Sequence, residues 1–450
     1  MNALKAGFAR VNINPKLGTV INGYFKPRHV KGILDDLEVN ALAIECNGKK
    51  ALILTVDTCG IKQELALKFR TAAAKAAGID VEAVYLHVTH THTGAFLVEE
   101  GGKTELEDEY INFVLGRISD VAVYAFADLK DAKMGYGTGH APNVAFVRRY
   151  VMKDGSIKTN PGVNNPDIVG PVGGVTDDTV SVVRFTRENA EDIVLTSFAN
   201  HPDVVGGELI SADWPGLTRR TVEKILDGTK CLVLNGTQGD INHVNVFPTG
   251  GFLNDMFMDF DDVSRGYAHA KYIARVVTGG VLQAFDKVAY VDVDSINYLN
   301  KRLELPSNKP TPEQLPEAIR INDLHNAGKD AELPYEGMML TTIVAEAGRM
   351  VRLADAPDTF DMTLSAIAIG PVAFVGIPGE PFSGIGKLIR ESDAFDLIIA
   401  NCLTNGGEGY FPMQDSYDEG GYEARSSNFK AGVAEHIAAE SKKILEDLKK

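Results

Sequence analysis

The chain has 450 residues, 44% apolar and 24% charged, the composition of a globular protein with a substantial core. Its 45 Lys+Arg against 61 Asp+Glu give a formal charge of -16, which excludes a nucleic-acid backbone or an anionic lipid surface as the main partner. No stretch reaches the roughly 18 uninterrupted apolar residues of a membrane helix, and the 4 cysteines, Cys46, Cys59, Cys231 and Cys402, form neither a disulfide framework nor a Cys-x-x-Cys pair.

Met1–Pro15 lacks the basic-then-apolar layout of a secretory signal, so a cytoplasmic address with reduced, buried thiols is expected. Ala41–Glu45 and Ala51–Asp57 read as strands joined by an Asn47-Gly48 hairpin turn. Lys62–Ala77 has amphipathic helical spacing, and Ala83–Val88 reads as the next strand. Glu105–Leu129 spaces Tyr110, Phe113, Val114, Ile118 and Val121 as a long helix on a sheet would. Lys153–Gly174 is punctuated as a loop. Strands are expected at Thr179–Phe185, Ile193–Phe198 and Cys231–Leu234, with helices over Gly216–Leu226 and Asp262–Phe285. Val288–Tyr298 alternates as a strand. Pro306–Met350 is polar, with helical pattern in Pro312–Ala327 and Met338–Met350, and reads as an inserted helical cap. Leu364–Ala368, Val372–Val375 and Leu397–Ala400 are short apolar strands, and Phe429–Leu448 a closing helix. The expected fold is mixed α/β, β-sheets covered by α-helices, in one large domain over residues 1–450 with the insertion at 306–350.

Chemistry concentrates where the strand Ala83–Val88 runs out into Thr89-His90-Thr91-His92-Thr93-Gly94. Side chains alternate along an extended chain, so His90 and His92 project to one side and suit a divalent metal, or else hydrogen-bonded polar packing. His87 belongs to the opposite side or the core. Asn200-His201-Pro202 places a histidine after an apolar strand, and Pro378-Gly379-Glu380-Pro381 a carboxylate in a rigid turn. Gly406-Gly407 lacks the Lys-Ser/Thr of a phosphate loop.

Together these elements carry a resemblance. Ala6-Gly7-Phe8-Ala9-Arg10, Thr89–Gly94, Asn165-Pro166-Asp167-Ile168, Phe198–Pro202, Ile210–Gly216, Thr237–Asn242, Pro378-Gly379-Glu380, and Gly409-Tyr410 followed by Tyr422-Glu423 resemble, in order along nearly the whole chain, the N-terminal domain of neutral (non-lysosomal) ceramidases. Those are zinc-dependent amidohydrolases that cleave the N-acyl bond of ceramide. The resemblance implies that His90, His201, Glu380 and Tyr410 are Zn²⁺ ligands and that His92 and Tyr422 are polar groups of the reaction centre. The family's arginine corresponds to Arg148 or Arg149, with Arg149 taken as the match. Two imidazoles, a carboxylate and a phenol leave zinc electrophilic, able to bring the pKa of a bound water to about 7; mixed N/O donors also suit another divalent ion. Asp57 and Asp240 either orient ligating imidazoles or cap strand ends.

The sequence also departs from the family. Where ceramidases carry a proposed catalytic serine, this chain has Asn242, which cannot be a nucleophile but can donate a hydrogen bond to an oxyanion. His243 is an extra ligand, a general base or polar lining. With no signal sequence and no C-terminal β-sandwich, ceramide is not the expected substrate. The expectation is a zinc-dependent hydrolase of an amide or ester bond in a small soluble molecule, with no nucleic-acid or membrane partner and homo-oligomerisation left open. Two alternatives are a metal-dependent lyase or isomerase, in which His92 or Tyr422 moves a proton, and a non-catalytic metal-binding sensor or scaffold.

Overall fold

The computed structural model describes residues 4–97, 104–248 and 255–450. Strands β1 (Leu4–Asn12), β2 (Glu38–Cys46), β3 (Lys49–Val56), β4 (Val84–Val88), β5 (Lys130–His140), β6 (Thr179–Arg187), β7 (Asp192–Phe198), β8 (Thr229–Asn235) and β9 (Ala289–Val291) form one nine-stranded sheet. Its order is β8-β7-β6-β5-β1-β2-β3-β4, with β9 added beside β5. A second, four-stranded sheet contains β10 (Ile296–Pro306), β11 (Thr359–Ile369), β12 (Val372–Gly376) and β13 (Leu397–Asn401) in that order.

The large sheet is antiparallel in its middle and parallel at both edges, where β3 pairs with β4 and β7 with β8. Each parallel pair needs a crossover. Helix α1 (Gln63–Ala77) supplies the first and α3 (Asp213–Ile225) the second. Helices α2 (Glu105–Ala127) and α4 (Tyr267–Phe285) complete the outer cover, burying Val114, Ile118 and Val121 over one half and Ile273, Val277 and Val281 over the other. The inner face packs on the second sheet through Leu42, Ile53, Phe185, Leu232, Phe374 and Ile399. Behind that sheet lie α7 (Ser383–Arg390) and α10 (Val433–Lys449), giving helix, sheet, sheet, helix layers. This is the mixed α/β arrangement the sequence predicts.

Twist brings the functional ends together. Strands β8 and β4 run formally opposite ways, but a twist of roughly 20–25° per pairing, carried over the seven pairings of an eight-strand path, turns one against the other by roughly 140–175°. The path also curls until its edges meet, and the backbone N–H of Asn235 at the end of β8 donates to His87 Nε2 of β4 at 2.8 Å.

Several expectations are corrected. Lys130–His140, given no element, is a central strand, and β1 is likewise a full strand of the sheet. The expected strand Val288–Tyr298 divides into β9 and β10, and Lys153–Gly174 contains two short strands that pair with Arg149–Met152. The helix expected from Asp262 starts at Tyr267, after the turn in which Asp262 adopts φ 62°. The insertion, which lies in sequence between the paired strands β10 and β11, holds α5 (Leu315–Asn326) and α6 (Gly337–Leu353), packed on each other through Ala318, Ile321, Ile343 and Ala347. Two short helices, α8 (Ser416–Glu419) and α9 (Tyr422–Ser426), precede α10.

Candidate metal centre

Beyond Val88 the chain turns sharply. His90 sits at φ 74°, in the left-handed region, a conformation that costs a non-glycine residue on the order of 1–3 kcal/mol and persists only when its surroundings enforce it. Here its backbone N–H donates to Thr58 O at 3.0 Å and its Nδ1–H donates to the Cys59 carbonyl. A carbonyl only accepts, so Nδ1 carries a proton and Nε2 points inward. That Nε2 lies 3.1 Å from His201 Nε2, 3.3 Å from His92 Nε2 and 3.2 Å from Glu380 Oε2.

His201 follows β7, and Pro202 beside it accepts the His92 backbone N–H at 3.0 Å, which ties the two histidine loops together. His92 is held from its other side by the segment 22–28. Arg28 donates to the His92 carbonyl at 2.6 Å, and the Tyr24 ring lies 5.4 Å from the imidazole. Gly23 is needed there, because its φ is 111° and a Cβ would stand 2.8 Å from the His92 ring.

Glu380 and Tyr410 come from loops after β12 and β13, which pair as a short parallel ladder with Glu380 opposite Tyr410. The Tyr410 hydroxyl donates to the Glu380 carboxylate, and the Tyr422 ring stands 5.6 Å from that of Tyr410 at 74°. Arg148 completes this side. Its guanidinium lies 5.4 Å from the Tyr410 ring centre, its Nε is 2.6 Å from Glu423 Oε1, and its Nη2 donates to Gly239 O at 2.7 Å.

The electrostatics call for positive charge at the centre. Burial pulls the His90 imidazole down, but the Glu380 carboxylate and Cys59 overcome it and hold its pKa well above the ordinary value. Burial likewise raises Glu380, yet His90 and Arg148 keep it below the usual carboxylate range, so it is ionised. Burial and Arg148 push His201 well down, and burial pushes His92 well down, leaving both as neutral lone-pair donors. Burial and the Glu380 charge keep Tyr410 and Tyr422 protonated. Among the buried atoms without a hydrogen-bond partner are Glu380 Oε2, His92 Nδ1 and His201 Nδ1. Converging imidazole lone pairs around an ionised carboxylate repel unless a proton or a cation stands between them. His90, His201 and Glu380 form a group spaced to hold a metal ion, and Cys59, His90 and His92 form a second that shares His90.

The structure thus brings together His90, His92, His201, Glu380, Tyr410 and Tyr422. It corrects the choice of arginine: neighbours on an extended chain face opposite ways, and while Arg148 faces Tyr410, Arg149 donates to Ser416 Oγ at 2.8 Å and Glu419 Oε2 at 2.9 Å. Asn242 is fully buried, with its amide donating to Asn160 Oδ1 at 2.8 Å and its carbonyl accepting the Val244 N–H at 3.0 Å. Neither aspartate orients an imidazole. Asp57 is paired with Arg219, and Asp240 caps α7 through the Ser383 N–H and hydroxyl. His243 contacts Asp203 Oδ1 at 3.1 Å and the Ser264 carbonyl. Sequence reasoning missed the Cys59 carbonyl and the Tyr24–Arg28 brace, contacts that carry no signature in the chain itself.

No protein-family model and no curated protein matches the sequence. Among solved structures, neutral ceramidase from Pseudomonas aeruginosa superposes with a TM-score of 0.73 at 16% identity, covering 100% of this chain and 75% of that one. A ceramidase complexed with C2 gives 0.72 at 16% identity with the same coverage. The chain therefore has the fold of the neutral ceramidases.

Proposed function

We propose that the protein is a metal-dependent hydrolase, zinc being the favoured ion, that cleaves the acyl C–N or C–O bond of a small-molecule amide or ester. The observation that carries this reading is the convergence of three imidazole Nε2 atoms and one carboxylate oxygen beside two protonated phenols. The solved structures sharing the fold are described as ceramidases, which act on an amide.

The donor set fits a divalent cation. His90 and His201 would offer neutral imidazoles, Glu380 a charge and Tyr410 a weak oxygen donor. When bound, such an ion supplies Lewis acidity toward a carbonyl oxygen and toward water. The chain's own residues do the rest. His92, neutral and fixed by Arg28, is placed to take a proton from the attacking water and pass it to the departing nitrogen or oxygen. Tyr422, protonated, can donate to the oxyanion that develops on the acyl carbon. In balance, the water oxygen joins the acyl carbon, the bond to the leaving group breaks, and the leaving group departs with the proton. Arg148 keeps Tyr410 and Glu423 in register beside this centre. No serine is required at Asn242.

The test is turnover of an amide and ester panel by the zinc-loaded protein in oxygen-labelled water. Label in the acid product is expected. Turnover with no label would favour elimination, and no turnover of any acyl substrate would remove the hydrolase reading.

A further inference from the structure

A cavity of about 630 Å³ lies apart from the metal centre, lined by none of His90, His92, His201, Glu380 or Tyr410. It backs onto that centre: Arg148 faces Tyr410, while Arg149 beside it lines the cavity. Phe198, Ile241 and Phe382, all buried, give it an apolar side, and the buried Thr237 adds a hydroxyl. Val175, also in its wall, is 95% exposed, so the apolar lining continues out to water. A concave site of this volume with a few polar groups set against apolar ones has the make-up of a small-molecule pocket.

Its charged groups are three cations, Arg149, Lys387 and Arg390, and four carboxylates, Asp177, Asp240, Glu391 and Asp415. Pairing decides which of them a ligand meets. Arg390 is held by Asp177 at 2.8 Å, and Glu391 by Lys442 at 3.1 Å. Asp240 accepts both the N–H and the hydroxyl of Ser383, at 2.7 and 2.9 Å. Asp415 is exposed, just before α8. Arg149 donates to Ser416 Oγ, Glu419 Oε2 and the Gly420 carbonyl, and keeps a buried Nε–H with no acceptor; its guanidinium stands 5.5 Å from the Phe382 ring centre. Lys387, on α7, pairs with no carboxylate among the described residues. The uncommitted groups beside the apolar side are therefore donors, Lys387 and Arg149, and an anion supplies the acceptors they lack.

We propose that this cavity is a second small-molecule site, separate from the metal centre, that takes an organic carboxylate: the carboxylate meets Lys387 and Arg149, and the apolar body lies against Phe198, Ile241 and Phe382. The inference does not depend on the hydrolase reading, because it concerns binding at residues that reading does not use.

The test is titration calorimetry of the full chain with benzoate, benzylamine and inorganic phosphate. Benzoate should bind wild type and His90→Ala alike, since the cavity holds no metal ligand. Lys387→Glu should weaken it by about tenfold or more, and Lys387→Gln by less in the same direction. Lys75→Glu, an equal charge reversal at an exposed position of α1, should leave it unchanged. Benzylamine, with the ring and the opposite charge, and phosphate, with the charge and no ring, should each bind more weakly than benzoate. No benzoate binding, or binding that both Lys387 variants leave intact, overturns the site. Binding lost in His90→Ala places the carboxylate on the metal and overturns it as well, while supporting a metal centre. Benzylamine or phosphate binding as tightly as benzoate overturns the ligand class.

Discussion

The backbone N–H of Asn235, the last residue of β8, donates to Nε2 of His87 in β4 at 2.8 Å, so the two outermost strands of the main-sheet path are joined to each other. The other ring nitrogen, Nδ1, meets the hydroxyl of Thr404, in the segment that follows β13, at 3.2 Å. Burial pulls the imidazole down to about 3, so it is neutral and can accept through Nε2. His87 lies one turn of chain ahead of His90, and its bond sets where the ends of the two parallel strand pairs stand.

Replacing that acceptor leaves a buried N–H unpaired. His87→Phe should lower the unfolding free energy by about 1–3 kcal/mol, read from urea denaturation, and should speed hydrogen exchange at the Asn235 amide. Wild-type stability with unchanged exchange at Asn235 would mean that the strand ends are held together by other contacts.

Asp213 gives a pH-dependent test of the crossover. It is fully buried at the start of α3, accepting the N–H groups of Val205 at 2.8 Å and Trp214 at 2.5 Å. Burial raises its pKa from an ordinary 3.8 to about 7. The folded state then holds the proton more tightly than the unfolded state, so this contribution is fully present below about 4 and is lost as pH rises through about 7. The stability of wild type relative to Asp213→Asn should fall across that window by up to about 4 kcal/mol. A difference that is flat or rises with pH would contradict a protonated buried Asp213.

The two neighbouring arginines separate by direction. Arg148→Lys keeps a charge but loses the planar contact with Tyr410 and Glu423, and should lower kcat/KM by about 10²-fold. Arg149→Lys loosens the Ser416, Glu419 and Gly420 contacts and the stacking over Phe382, none of them at the histidines, and should cost far less in rate. Equal losses in the two variants would place both guanidinium groups at the reaction centre.

Much of this arrangement is readable in the chain, and the unreadable parts have physical causes. Asn47-Gly48 closes the β2–β3 hairpin as its turn chemistry requires, and the helical periodicity of the insertion falls where α5 and α6 stand. Strand β5 was illegible because its alternating glycines, Gly135, Gly137 and Gly139, look like a loop. Two of them answer close packing: a Cβ at Gly139 would lie 2.0 Å from Gly280 O of α4, and one at Gly135 2.7 Å from the Val288 side chain. Such an approach is a tertiary fact with no local signal. At the site, strand alternation pointed to His90 and His92, while His201, Glu380 and the two tyrosines were implied only by the family resemblance. The choice between Arg148 and Arg149 could not be made without knowing which face of the chain meets Tyr410. Asn242, read as an oxyanion donor, is engaged with Asn160 and Val244 through contacts that only the fold creates.

The most direct measurement is the metal content of the purified protein beside four variants. About one divalent ion per chain is expected in wild type, lost in His90→Ala and His201→Ala, and retained in His92→Ala and Tyr422→Phe with turnover lost. Wild type without metal after growth and dialysis in zinc, or metal that all four variants retain, would contradict a metal centre built on His90 and His201.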